Sequence, residues 1–145
     1  METTIKLSEN AADLKRIIQL RYEILRAPWQ QRIESATDEL DVTSINAYIE
    51  NADGEVIACA RLQINENQIG QVRYMAVANS QQEKGLGKNL LLFLENKARK
   101  LGLKSISLQA RENAYGFYEK LGYHEVEKSF LLWGKIQHYL MEKNL

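Results

Sequence analysis

At 145 residues, the chain is near the commonest single-domain size, so it can bury one core and has little room for a second independent unit. Its 19 basic and 19 acidic side chains cancel, which leaves no electrostatic footprint for a nucleic-acid backbone. The sole cysteine, Cys59, rules out an internal disulfide and any multi-cysteine zinc site and suits a reducing compartment.

Residues Thr4 to Leu7 read as a short strand. Ser8 or Asn10 can then cap a helix whose apolar positions Leu14, Ile17, Ile18 and Leu25 follow helical spacing until Pro28 closes it. Trp29 to Thr43 is polar, acidic and without a clean period, and is expected to be a mostly irregular connection, with room for a short helix, of the kind that shapes a substrate mouth. From Ser44 the pattern turns to β. Ile45, Ala47 and Ile49 alternate, Asn51 to Gly54 is a turn, and Val56, Ala58, Ala60, Leu62 and Ile64 alternate again. A third strand, roughly Ile69 to Ala78, completes an antiparallel meander.

The second half changes character. Leu86, Leu90, Leu94, Ala98 and Leu101 share one helical face, and Gly102 stands where a C-terminal cap wants a left-handed residue. A strand over Ser105 to Gln109, a short helix around Ala114 to Leu121 and strands near Tyr123 to Phe130 and Ile136 to Glu142 follow. Met1 to Asn10 lacks an apolar signal core, and the most apolar stretch, Leu90 to Leu94, is far too short to span a bilayer. The expectation is one domain over residues 1–145, cytoplasmic, with neither membrane nor nucleic acid as partner.

The sharpest local signal is Gln82-Glu83-Lys84-Gly85-Leu86-Gly87-Lys88, between a strand and the start of the most regular helix. A helix N-terminus exposes backbone N–H groups and the positive end of the macrodipole, and glycines let a pyrophosphate approach closely. A dinucleotide fingerprint would need a third glycine where Leu90 stands, and a Walker loop would need Ser or Thr where Asn89 stands. The plain alternative is a tight strand-to-helix turn that binds nothing.

Preceded by Tyr74 to Val77 and followed by the Leu90–Leu101 helix, Gln82-x-x-Gly85-x-Gly87 resembles the acetyl-CoA signature of the GNAT N-acetyltransferase superfamily. The segment Ala114 to Tyr123, with Phe117, Tyr118, Lys120 and Gly122, is similar to that family's later A-x-x-F-Y-x-K-x-G-F/Y segment. Arg21 to Arg26 and Lys135 to Met141 look similar to small bacterial members. The resemblance implies a mixed α/β fold: a mostly antiparallel central sheet flanked by helices, with the fourth and fifth strands splayed to admit the pantetheine arm of acetyl-CoA.

By the same resemblance the chain is an N-acetyltransferase acting on a primary amine by direct attack, without a metal. The cofactor set is Met75, Ala76 and Val77 along the arm, Gln82, Glu83, Lys84, Gly85, Leu86, Gly87 and Lys88 at the pyrophosphate, with Arg111 and Tyr118. Tyr118 is the implied general acid and the Met75 N–H the implied oxyanion donor. The rival is a non-catalytic acyl-CoA-binding module on the same fold. A homodimer stays open.

Two positions depart from the family pattern. Arg111 stands where many members have asparagine, and is either a phosphate ligand or a solvated residue. Gln71 stands where some members have a glutamate base. Glu23 and His138 are the candidate bases, with ion pairing and packing as their plain alternatives. Arg61 and Arg73 are candidates for an acidic acceptor, while the acidic Trp29–Thr43 segment points instead to a small cationic amine. Cys59 reads as a small buried residue.

Overall fold

The computed structural model describes residues 4–145. A short β1 (Lys6–Leu7) leads to α1 (Ala11–Arg21), whose N-cap is Asn10: its side-chain oxygen accepts from the Asp13 N–H at 2.8 Å. The helix does not run unbroken to Pro28 as its spacing suggests. It widens to a π turn over Tyr22–Arg26, where the Ala27 N–H donates to the Tyr22 carbonyl, and then tightens to a 3₁₀ turn over Ala27–Trp29. Such a change of pitch re-aims the last carbonyls and side chains, here those of Leu25 and Arg26.

Strands β2 (Ile45–Glu50), β3 (Val56–Ile64) and β4 (Ile69–Val77) form the expected meander. Helix α2 (Leu86–Lys100), β5 (Ser105–Arg111), α3 (Tyr115–Lys120), β6 (His124–Leu132) and β7 (Ile136–Asn144) follow. The seven strands form one sheet in the order β1-β2-β3-β4-β5-β7-β6, antiparallel except for β4 and β5. Among the described residues no helix is long and apolar enough to cross a membrane.

Two apolar layers cover the sheet. Leu90, Leu91, Leu94 and Ala98 of α2 are completely buried against Ala47, Ile49, Ala58, Ala60 and Leu62 of the meander and Ile106 and Leu108 of β5. On the opposite face Ile17 and Leu20 of α1 pack over Tyr48, Cys59 and Ala76. Strand residues therefore alternate between an α2 side and an α1 side, and both sides are dry. Burial pushes the Cys59 thiol up to about 11, so it is an inert packing group.

The segment after Trp29 carries two 3₁₀ turns, Ile33–Ala36 and Glu39–Val42, and is anchored where the sequence suggested a loose mouth. Buried Asp41 accepts from Arg21 at 3.0 Å, from the Thr37 hydroxyl at 2.6 Å and from Arg61 at 3.0 Å. Asp38 takes both Nη atoms of Arg61, at 2.6 and 2.9 Å. Fully buried Arg61 is thus consumed by structure, which corrects its candidacy as an acceptor ligand.

Candidate active site

Strands β4 and β5 pair in register only from Ile69↔Ser105 to Val72↔Leu108, and beyond Val72 the two part. The cause is local to β4. Its register with β3 slips between Cys59 and Arg61, and Tyr74 takes φ 53°, a left-handed conformation costly for an aromatic residue. Val72 and Met75 both pack on the α2 side, while Arg73 and Tyr74 between them face the arginines of the other side. The bulge turns the end of β4 away from β5 and opens a V between them.

A cleft of about 1420 Å³ occupies this V and runs along Met75, Ala76 and Val77 to Gln82, Gly85 and Gly87. At its far end α2 begins without a side-chain cap, and the first backbone bond into the helix is from Asn89 N–H to the Gly85 carbonyl at 3.0 Å. Among the described residues no partner takes the N–H groups of Lys84, Gly85, Leu86, Gly87 or Lys88, so they are the orphan donors of a helix start. Glu83 and Gly85 both adopt positive φ, at 68° and 79°. A Cβ on Gly85 would meet nothing within 4 Å, so glycine is needed there for backbone conformation and leaves the approach open. Gly87 is different: a Cβ there would touch Met75 Sδ and the Phe117 ring at 3.5 Å, so it lets α2 close onto β4 and α3. Gln82 fastens this turn, donating to the Val77 carbonyl and the Asn79 side chain at 3.2 Å each.

Tyr118 of α3 reaches the cleft from above the V. It is 9% exposed, and its hydroxyl lies 3.7 Å from Met75 Sδ, a weak acceptor. Burial pushes its phenol up to about 12, so the hydroxyl is a proton donor throughout the neutral range.

The other expected residues divide: Arg111, His138 and Gln71 line the cleft, and Glu23 does not. Arg111 alternates to the α1 side of β5, since Leu108 and Ala110 face α2, and its Nη2 donates to the Leu25 carbonyl at 3.0 Å. It lines the same cleft as Met75 to Val77 and Gly85, from the α1 side of the V. His138 is opposite Arg111 on β7, buried, and stacked on Phe130 with ring centroids 4.4 Å apart. Its Nδ1 lies 3.0 Å from the Ile136 carbonyl, which assigns the neutral ring's proton to Nδ1 and leaves Nε2 as acceptor. Glu23 is exposed, accepts from Gln19 and does not line the cleft. Gln71 accepts from Asn65 at 2.9 Å and from Gln63 at 3.3 Å.

One contributor escaped the sequence reading. Arg26 lines the cleft from the π turn, and its signal was only a basic residue in the last turn of a helix. The acidic residues of the Trp29–Thr43 segment do not line it. Trp29 alone of that segment does, and among the described residues the cleft's single carboxylate side chain is Glu83, at the helix-start end.

Comparison with known proteins agrees with this geometry. Residues 14–123 match the model of the Acetyltransferase (GNAT) family. A Bacillus subtilis (strain 168) protein provisionally named an acetyltransferase is 34% identical over 103 residues, 71% of this chain and 67% of that protein. Two solved structures carry the same fold. One is a provisionally named N-acetyltransferase from Lactobacillus plantarum, with TM-score 0.87, 19% identity and coverage of 100% of this chain and 99% of the other. The second is an aminoglycoside 6'-N-acetyltransferase complexed with coenzyme A, with TM-score 0.80, 17% identity and coverage of 97% and 96%. The overall fold is thus shared with these proteins, and the chain is an acyltransferase belonging to the GNAT acetyltransferase family.

Proposed function

We propose that the chain transfers the acetyl group of acetyl-CoA to a primary amine by direct attack. The observation that carries this reading is the continuity of the cleft: strand edge, buried phenol and unpaired N–H groups follow one another along a single channel. The pantetheine arm pairs with the β4 edge at Met75 to Val77, as a strand would extend the sheet. The pyrophosphate lies on the N–H groups of Lys84 to Lys88, with both lysines adding charge.

A neutral amine then attacks the thioester carbonyl, and the Met75 N–H stabilises the oxyanion as the tetrahedral species forms. Collapse breaks the C–S bond, the amine's proton leaves to base or solvent, and the thiolate takes a proton from Tyr118. A phenol at about 12 is a weaker acid than a typical thiol near 8.5, so complete transfer is uphill by about 5 kcal/mol. Tyr118 therefore acts first as a hydrogen-bond donor that tightens as charge builds on sulfur, and the uphill proton transfer to the thiolate is completed as solvent reprotonates the phenol. Of the two candidate bases, His138 alone lines the cleft, and we assign it the amine's proton through Nε2.

The test is calorimetric titration of acetyl-CoA into wild type and a Gly85→Glu variant, with thiol release measured on a broad amine panel. Micromolar binding that the still-folded variant loses supports the cradle. Absence of binding to folded wild type removes the reading.

A further inference from the structure

The end of the cleft away from the helix start is basic. Arg26, from the π turn, and Arg111, from the tip of β5, both donate to the same carbonyl oxygen, that of Leu25, at 3.2 and 3.0 Å. Arg26 makes one further hydrogen bond, from Nε to the Ser35 carbonyl, at 3.1 Å, and neither guanidinium pairs with a carboxylate among the described residues. This is unusual in a chain whose other inward-facing arginines, Arg21 and Arg61, are each neutralised by Asp41 or Asp38. Two half-buried cations brought to one neutral oxygen repel each other, and an arrangement of that kind is stabilised when an anion joins it. Burial lowers the pKa of each from the ordinary arginine value, helped at Arg111 by the Arg26 charge and at Arg26 by the Arg73 and Arg21 charges, against an opposing effect of Tyr74.

We infer that Arg26 and Arg111 hold the carboxylate of the acceptor, and that the acceptor is an amino acid. The inference rests on the acetyltransferase reading and supplies its missing substrate class. Arg73, also lining the cleft, has its charge countered by Asp38, 3.3 Å from its Nη1, where Arg26 and Arg111 have no carboxylate partner among the described residues. His138 faces the same side and is held neutral, so it does not compete for the anion. Trp29, Phe130 and Leu132 form the rest of this end, which suits an apolar side chain on the amino acid. The cationic-amine expectation drawn from the Trp29–Thr43 segment loses its basis, because Asp38 and Asp41 are spent on Arg61 and Arg21. A polycationic acceptor would meet arginines where it needs carboxylates.

The experiment measures thiol release from acetyl-CoA with the twenty amino acids, with the carboxamide and decarboxylated amine of leucine and phenylalanine, and with spermidine and kanamycin. Wild type, Arg111→Gln and Arg26→Gln are compared, and acetyl-CoA binding is titrated in each. The expected result is a kcat/KM for at least one apolar amino acid about tenfold or more above its carboxamide and its decarboxylated amine. That preference collapses in Arg111→Gln, through KM, while acetyl-CoA binding and folding persist. Equal turnover of acid, amide and amine, preference for the polycations, or acetyl-CoA binding with no amino-acid turnover each overturns the assignment and leaves the acetyltransferase reading standing. Loss of acetyl-CoA binding in wild type instead removes the reading beneath it.

Discussion

The phenol oxygen of Tyr118 lies 3.7 Å from the thioether sulfur of Met75, so the proposed proton donor already faces sulfur across the mouth of the sheet. That contact costs little to give up, because a thioether is a weak acceptor.

Tyr118→Phe removes the donor and keeps the ring, which packs edge-on against Phe117 at 5.0 Å and Tyr123 at 6.0 Å. Its effect should fall on kcat, lowering it by about a hundredfold or more, while acetyl-CoA affinity and thermal stability stay close to wild type. Steady-state kinetics beside a calorimetric titration separates the two. An equal loss in affinity and turnover would make Tyr118 a packing residue.

Some of this site is local in the chain and was therefore readable. The helix start at Gly85 needs only a strand, two glycines and an apolar 3.6-residue period, and the Phe117–Tyr118 segment lies on one short helix. The antiparallel meander followed from alternation at Ala47, Ile49, Ala58 and Ala60 on either side of the Asn51–Gly54 turn. The ion network was not readable. Asp41 meets Arg21 and Arg61 through the folding of three separate elements, and polar residues on a loop carry no period. Arg61 looked like an open strand-face cation because nothing in β3 says that Asp38 and Asp41 cover it. The π turn that aims Arg26 is hidden for the same reason: its residues fit a continuous helix equally well.

Asp41 should govern acid stability. Burial would raise its pKa, but the hydrogen bonds from Arg21, Thr37 and Arg61 outweigh that and hold it at about 2, against 3.8 when unfolded. A depressed carboxylate contributes stability above its unfolded value and loses it as pH falls through the folded one. The contribution is about 2 kcal/mol at neutral pH, lost progressively between about pH 4 and pH 2. Asp41→Asn removes a countercharge shared by two buried guanidiniums whose Nε atoms have no hydrogen-bond partner and which sit instead against the Tyr74 ring, at 4.4 and 4.9 Å. Urea unfolding should show a loss of about 3–5 kcal/mol, and the pH 4-to-2 decline should flatten in the variant.

Glu95 offers a structural counterpart remote from the chemistry. It is 1% exposed on α2, accepts from the Tyr123 hydroxyl at 2.9 Å and from Lys143 of β7 at 3.0 Å, and so ties the helix to the far strands. Glu95→Ala leaves the buried Tyr123 hydroxyl without its acceptor and Lys143 with only the Leu121 carbonyl, and should cost about 2–4 kcal/mol. Acetyl-CoA affinity of the folded fraction should be unchanged. Glu95→Gln, which keeps an acceptor for the Tyr123 hydroxyl, should recover part of the loss in a thermal melt.

His138 sets the last expectation. Burial first, then the Arg111 and Arg26 charges, lower its pKa below 6.5, against the opposing pull of the Ile136 carbonyl. Its imidazole is consequently neutral and able to accept a proton at physiological pH. For stability the sign is unfavourable only on the acid side: below about pH 6.5 the unfolded chain takes up a proton that the folded chain resists. Above that pH nothing is lost. For activity, kcat/KM should be level near neutrality, with an acid limb displaced below 6.5. His138→Gln should lower kcat about tenfold to a hundredfold and abolish that limb. An unchanged pH profile in a folded His138→Gln variant would assign the amine's proton to solvent and leave His138 as the ring on which Phe130 stacks.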